Sequence, residues 1–299
     1  MESARFVPPA VRAVLWALIA SYAIARILQL FSAVPLIVQV VLHVVPPLLF
    51  ALLHGALVYR ARGMLLFAAL GFVAGNVFEN LSILTGFPFG HYYFTALMGP
   101  KLFLVPATLG LAYLGIGYLA FAVGRLVVCG PGAPVSGWRV LLVPLVAAGA
   151  MVAWDVSMEP VWSTVLRCWV WRDGGIYFGA PLTNFAGWFL TVYVFYQLFA
   201  LYLRRRPALP ASLPRSYWRL AILYYAACAA GNLLIALSPT NAIVTDPAGV
   251  AWCVSSITRA CALAAVATMG PFVLLAWRRL PPKAPRIPDT PAGVYCISK

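Results

Sequence analysis

The chain carries only seven acidic residues in 299, and three of them, Glu79, Asp155 and Glu159, fall within strongly apolar stretches. Asp155 and Glu159 are four positions apart, so on a helix they share one face. Ionisable groups inside a membrane are costly, and they face a bundle interior where they pair or do a job. A carboxyl group kept from water among aromatic rings can hold a proton at neutral pH and act as a general acid. A second carboxylate can accept a proton from water, or orient it. Aromatic faces stabilise a nearby cation. Acid, cation-tolerant walls and water at a membrane edge suit protonation of an alkene, followed by capture of the carbocation. An apolar substrate would enter sideways from the lipid. This chemistry calls for no cofactor.

The residues around the acids fit that reading. Trp154, Trp162, Trp169, Trp171 and Trp188 punctuate one stretch, with Tyr177 and Phe178 among them. Asn76 and Asn80 flank Glu79 at i and i+4, which puts their amides on one side of a helix. Pro160 disfavours helical dihedrals at Glu159, so the helix is expected to end or kink there and free a backbone carbonyl. Blander readings stand beside these. An acid could be one half of a structural ion pair with Arg26 or Arg259. Tryptophan and tyrosine mark membrane interfaces, and for Trp169 and Trp171 belt and site are equally good readings. Asn184 and Asn232 could be interhelical hydrogen bonds. For the three acids taken together, a functional site is the better reading.

The elements that must position these groups are membrane helices. The composition is 63% hydrophobic and 9% charged, with a mean hydropathy of +0.91; soluble domains are about 25% charged. The expected fold is an all-α, polytopic helix bundle with about eight spans of ~20 residues, near 10–32, 35–59, 63–84, 102–124, 138–160, 183–203, 217–237 and 249–277. Residues 1–280 form the membrane domain, and Pro281–Lys299 a Pro-rich flexible tail. The first span reads as a retained helix rather than a signal peptide. If spans three and five are neighbours, Glu79 and Asp155 lie at matching depth, about 7–8 Å inside their outer ends.

The net charge of +14 does not point to nucleic acid, because no basic run is interleaved with aromatics in a soluble domain. It follows the positive-inside rule instead: most of the basic residues fall on one side when both termini are cytoplasmic. The loops Thr85–Pro100 and Val161–Leu182 then lie on the opposite side. They echo each other loosely in Gly, Pro and aromatics. The six cysteines form no C-x-x-C and read as small apolar residues. The three histidines make no metal pair, since His43 and His54 would be roughly 16 Å apart on one helix. No metal site is expected.

At these residues the chain resembles a known family, the carotenoid biosynthesis membrane proteins typified by the carotenoid 1,2-hydratases (CruF-type; bisanhydrobacterioruberin hydratase and γ-carotene 1′-hydroxylating relatives). The resemblance rests on N-V-F-E-N-L-S-I-L-T-G-F-P-F-G-H-Y-Y-F-T at Asn76–Thr95 and G-P-K-L-F-L-V-P at Gly99–Pro106. It rests also on W-D-V-S-M-E-P at Trp154–Pro160 and W-V-W-R-D-G-G-I-Y-F-G-A-P-L-T-N-F-A-G-W at Trp169–Trp188. The family pattern has Asp-Pro where this chain has Glu159-Pro160. The resemblance implies an integral membrane protein of the cell membrane that hydrates the terminal double bond of an acyclic polyene to a tertiary alcohol. Its partners would be the lipophilic polyene, water, the bilayer and other carotenoid enzymes.

On that reading Asp155 protonates the alkene, and Glu79 or Glu159 takes the proton from the attacking water. Tyr92, Tyr93, Trp162, Trp169, Trp171, Tyr177 and Phe178 line the polyene and its cation. Asn76, Asn80 and Asn184 hold water and carboxyls. Three rivals remain: a cyclase or isomerase using the same protonation, a proton-coupled transporter, and a carotenoid-binding protein without catalysis. The diagnostic substitution at this level is Asp155→Asn. If Asp155 is the acid, the purified variant forms no hydroxylated product while still inserting in the membrane; normal hydration excludes the assignment.

Overall fold

The computed structural model describes residues 6–31, 34–238 and 240–280; the tail expected at Pro281–Lys299 lies outside them. Among the described residues seven helices are long and apolar enough to cross a bilayer: α1 (Pro9–Leu28), α2 (Leu36–Thr85), α3 (Ala107–Cys129), α4 (Arg139–Pro160, continuing to Val165), α5 (Leu182–Arg204), α6 (Arg215–Ile235) and the final pair α7 (Val254–Ala264) and α8 (Gly270–Arg278), which run on through a widened turn at Ala265–Met269. Proline sets where most of them begin. Pro8, Pro35, Pro106, Pro181 and Pro214 each stand immediately before a helix, where a fixed φ and a missing N–H cost nothing.

Helix α2 has 50 residues, about 75 Å of helix at 1.5 Å per residue, more than twice a bilayer core. It breaks at Arg60, whose φ of 61° and ψ of 163° are not helical. Both limbs then lie on α3. His54 from the first limb bonds the Tyr118 hydroxyl at 2.6 Å, and Phe67 from the second meets the same ring edge-on at 6.0 Å. The second and third expected spans are these two limbs. The fourth starts later than expected. Lys101–Leu102 (β2) and Val105–Pro106 (β3) form a small hairpin, because Pro106 cannot supply an N–H to a helix through it.

The three short two-stranded ribbons sit at the ends of helices. Tyr92–Phe94 (β1) pairs antiparallel with Trp169–Trp171 (β4), so that Tyr92 faces Trp171 and Phe94 faces Trp169. These strands come from the two loops that echo each other in sequence. The third ribbon joins Ile243–Thr245 (β5) to Ala251–Cys253 (β6). The basic turns gather at the other end. The Ala211 N–H bonds the Val58 carbonyl at 2.8 Å, Arg279 Nε bonds the Val127 carbonyl at 2.9 Å, and Arg125 lies over Trp218 at 4.8 Å. Leu65, Leu84, Leu263 and Leu274 are exposed on the outer faces of the helices, as lipid-facing residues of a multi-pass membrane protein should be.

Of the two outcomes expected at Glu159–Pro160, an end or a kink, the helix shows a change of pitch. The helix passes through Pro160 and widens over Val161–Val165. Pro160 leaves the Val156 carbonyl without its N–H, and the Tyr177 hydroxyl supplies the missing donor at 3.0 Å. Helices α3 and α4 meet through small residues, as membrane helices do: a Cβ on Gly124 would lie 2.6 Å from the Ala147 Cα. Gly124→Leu is therefore expected to cost about 1–3 kcal/mol or more, because the obstruction is backbone. Thermal unfolding in detergent checks this; an unchanged midpoint would contradict the close packing.

Candidate functional site

A cavity lies between α1, both limbs of α2, α3, α4, α5, α6 and the β1–β4 ribbon. Its walls are apolar and aromatic, with Phe89, Tyr92, Trp154, Trp162, Trp169, Trp171 and Trp188 among them. Two carboxyl groups break this lining, Glu79 from the second limb of α2 and Glu159 from α4, and both are almost wholly buried.

Each glutamate is held by two aromatic donors. The Tyr113 hydroxyl donates to Glu79 Oε1 at 2.7 Å, and the Tyr92 hydroxyl donates to Glu79 Oε2. Burial, and then Glu79 beside it, holds the Tyr92 phenol well above its ordinary pKa, so it remains a donor. Glu159 is held differently. Trp169 Nε1 and Trp171 Nε1 both donate to its Oε1, at 2.8 and 2.7 Å. Among the described residues both indole bonds fall on Oε1 and none is made to Oε2; the Ser163 hydroxyl, which donates to the Glu159 carbonyl at 2.9 Å, lies close to the carboxyl group. The ribbon explains this geometry. Residues at i and i+2 of a strand share a face, so both indoles of β4 reach one oxygen while Tyr92, opposite Trp171, reaches the other acid.

A family model described as a carotenoid biosynthesis protein matches residues 31–255. The chain belongs to the carotenoid biosynthesis protein family. Comparison with curated proteins and with solved structures gives no match in either. Membership places this multi-pass membrane protein in carotenoid biosynthesis, and the matched segment contains all three intramembrane acids. In this family member the expected site residues separate into two groups.

Glu79, Glu159, Tyr92, Trp162, Trp169, Trp171 and Asn184 line the cavity. Asp155 does not. It is fully buried behind the lining, where Asn184 Nδ2 donates to its Oδ2 at 2.8 Å and, among the described residues, its Oδ1 has no partner. Asp155 reaches the cavity only through Asn184. The other five expected residues do not line this cavity. Tyr93 alternates outward on β1 and is exposed, with Arg172 over its ring at 5.9 Å. Tyr177 spends its hydroxyl on the carbonyl that Pro160 frees. Phe178 packs on Tyr177 and on Trp252. Asn76 donates to the Phe72 carbonyl. Asn80 donates to the Asn76 carbonyl and accepts from the Leu104 N–H at 3.0 Å, pinning the β2–β3 hairpin. Neither amide touches a carboxyl group.

Other residues in or behind the cavity wall were not singled out from sequence as part of the site. Tyr113 carries no signal in an apolar helix, yet it holds Glu79. Arg26, expected as the partner of an acid, bonds His43 Nε2 at 3.2 Å and Asn232 Oδ1 at 2.5 Å instead. Among the described residues Arg259 pairs with no acid either. The donors on Glu159 are open to a direct check. Trp171→Phe keeps an aromatic ring but loses the pyrrole half of the indole with its N–H, and should destabilise the protein by about 1–3 kcal/mol or more. Trp171→Leu, which also loses the ring contact with Tyr92 at 4.8 Å, should cost more. Denaturant unfolding orders the two; equal stability of wild type and Trp171→Phe would remove the bond from the account.

Proposed function

We propose that this protein is a carotenoid hydratase, adding water across the terminal double bond of an acyclic polyene end to give a tertiary alcohol. The observation that carries the reading is the unequal holding of two buried glutamates in one aromatic cavity. In a protonated carboxyl group one oxygen donates while the other accepts. Glu159 fits that pattern, with both indole N–H groups on Oε1 and Oε2 free to carry the proton. Glu79 has a donor on each oxygen, which suits a carboxylate acting as base.

The reaction then balances as follows. The π electrons of the terminal alkene take the proton from Glu159 Oε2, forming a C–H bond at C2 and a tertiary cation at C1. The faces of Trp169, Trp171 and Trp188 lower the energy of that cation. Water attacks C1, and Glu79 takes the proton from the resulting oxonium. Return of that proton to Glu159 through water resets the site. Asn184, tied to Asp155, orients water at the wall. Asp155 is thus a positioning residue and not the group that touches the alkene. A polar surface cleft lined by Ser163, Thr164 and Asp246 shares Trp171 with the cavity and supplies water from outside.

The test is expression in a host that makes an acyclic polyene, with pigments analysed by mass. Wild type should add the mass of one water per end, with oxygen from labelled water. Glu159→Gln and Glu79→Gln should each lose activity by about 10²–10⁴-fold, the range for a general acid or base. Asp155→Asn should retain measurable turnover. Products of unchanged mass would mark an isomerase or cyclase. Full activity in Glu159→Gln would end the assignment.

A further inference from the structure

The cavity has a second polar cluster that hydration does not use. Arg26 of α1 is buried and lines the cavity beside His43 and Asn232. Its neighbours can only accept from it. His43 Nδ1 faces the Gln39 carbonyl at 2.7 Å, so it carries the ring proton and leaves Nε2 as an acceptor for Arg26. Asn232 turns its carbonyl to Arg26, because its Nδ2 donates to Ser157 Oγ at 2.9 Å. A guanidinium has five N–H donors, and these two bonds leave most of them unused. Nε is buried with no partner. Among the described residues no carboxylate pairs with Arg26.

A buried cation with spare donors and only neutral acceptors is expensive. The arrangement is nonetheless built in. Arg26 lies flat in the notch left by the missing side chain of Gly231, where a Cβ would collide with Cγ, Cδ and Nε. Arg26, His43 and Asn232 all line the cavity, so the spare guanidinium donors lie beside a space that could hold an oxygen acceptor. The lining next to it is apolar, with Val40, Val44, Met151 and Met158.

We propose that Arg26, fixed by His43 and Asn232, binds an oxygen-bearing end, hydroxyl or carboxylate, of an otherwise apolar polyene. The inference rests on the polyene reading for the body of the ligand and not on hydration. It makes this protein one that accepts a polyene already oxygenated by an earlier oxidation or hydration. Arg26 lies outside the segment that matches the family, while His43, Gly231 and Asn232 lie within it.

The test uses the purified protein in detergent and follows quenching of tryptophan fluorescence by three acyclic polyenes of one length. One is a hydrocarbon, one ends in a hydroxyl and one in a carboxylate. Wild type should bind at least one oxygenated ligand about tenfold tighter than the hydrocarbon, the effect of a well-made hydrogen bond. A lead for the carboxylate marks charge recognition and a lead for the hydroxyl marks neutral bonding; either supports the site. Arg26→Met should abolish the preference and leave hydrocarbon affinity nearly unchanged. Gly231→Ala, which displaces Arg26 without removing it, should do the same and serves if Arg26→Met does not fold. Equal affinities in wild type, or an undiminished preference in both variants, would overturn the proposal. Binding is read without turnover, so a protein that prefers oxygenated ends but adds no water would refute hydration alone.

Discussion

Keeping carboxyl groups inside a membrane protein demands donors that are themselves fixed. The effective penalty for burying an ion is several kcal/mol, while a hydrogen bond to a charged group returns about 1.5–3 kcal/mol. One donor per acid falls short; two come close. Glu79 and Glu159 each have two, all from aromatic side chains. Phenol and indole groups suit the task because they add apolar area and have few torsions to freeze. Three of these four rings, Tyr92, Trp169 and Trp171, also line the cavity, so most of the groups that solvate the acids also form the walls that a lipophilic ligand would meet.

This arrangement also explains the order of the chain. The acids sit on two long helices, but three of their four donors sit on the ribbon that joins the loops beyond those helices. The loops are part of the site rather than connections between spans. Pro160 contributes by widening the turn after Glu159, and the carbonyl it releases anchors the second loop through Tyr177. A residue expected to touch substrate thereby holds the loop that does.

Much of this was legible in the residues. Apolar runs of membrane-crossing length marked out the spans, and the rarity of acids made Glu79, Asp155 and Glu159 conspicuous. The pairing of the loops was visible only as an echo, because a ribbon of three residues per strand has no periodicity to detect. Once Tyr92–Phe94 is known as a strand, the period of two sends Tyr93 outward. The choice between Asp155 and Glu159 depended on which faced the cavity, and four residues on one helix face cannot decide that. Arg26 and Asn232 are 206 positions apart, and no local pattern joins them. Asn76 and Asn80 misled because their amides found backbone carbonyls and a hairpin N–H nearer than the acid.

The pairing of Tyr92 with Trp171 and of Phe94 with Trp169 makes the site dependent on register. A slip of one residue in either strand reverses which side chains point inward. Inserting a single amino acid between Cys168 and Trp169 would aim both indoles at the outside water and strip Glu159 of its donors, with every acid still in place. Drift in loop length, more than replacement of any acid, is therefore the easiest way for such a protein to lose its chemistry while keeping its helices.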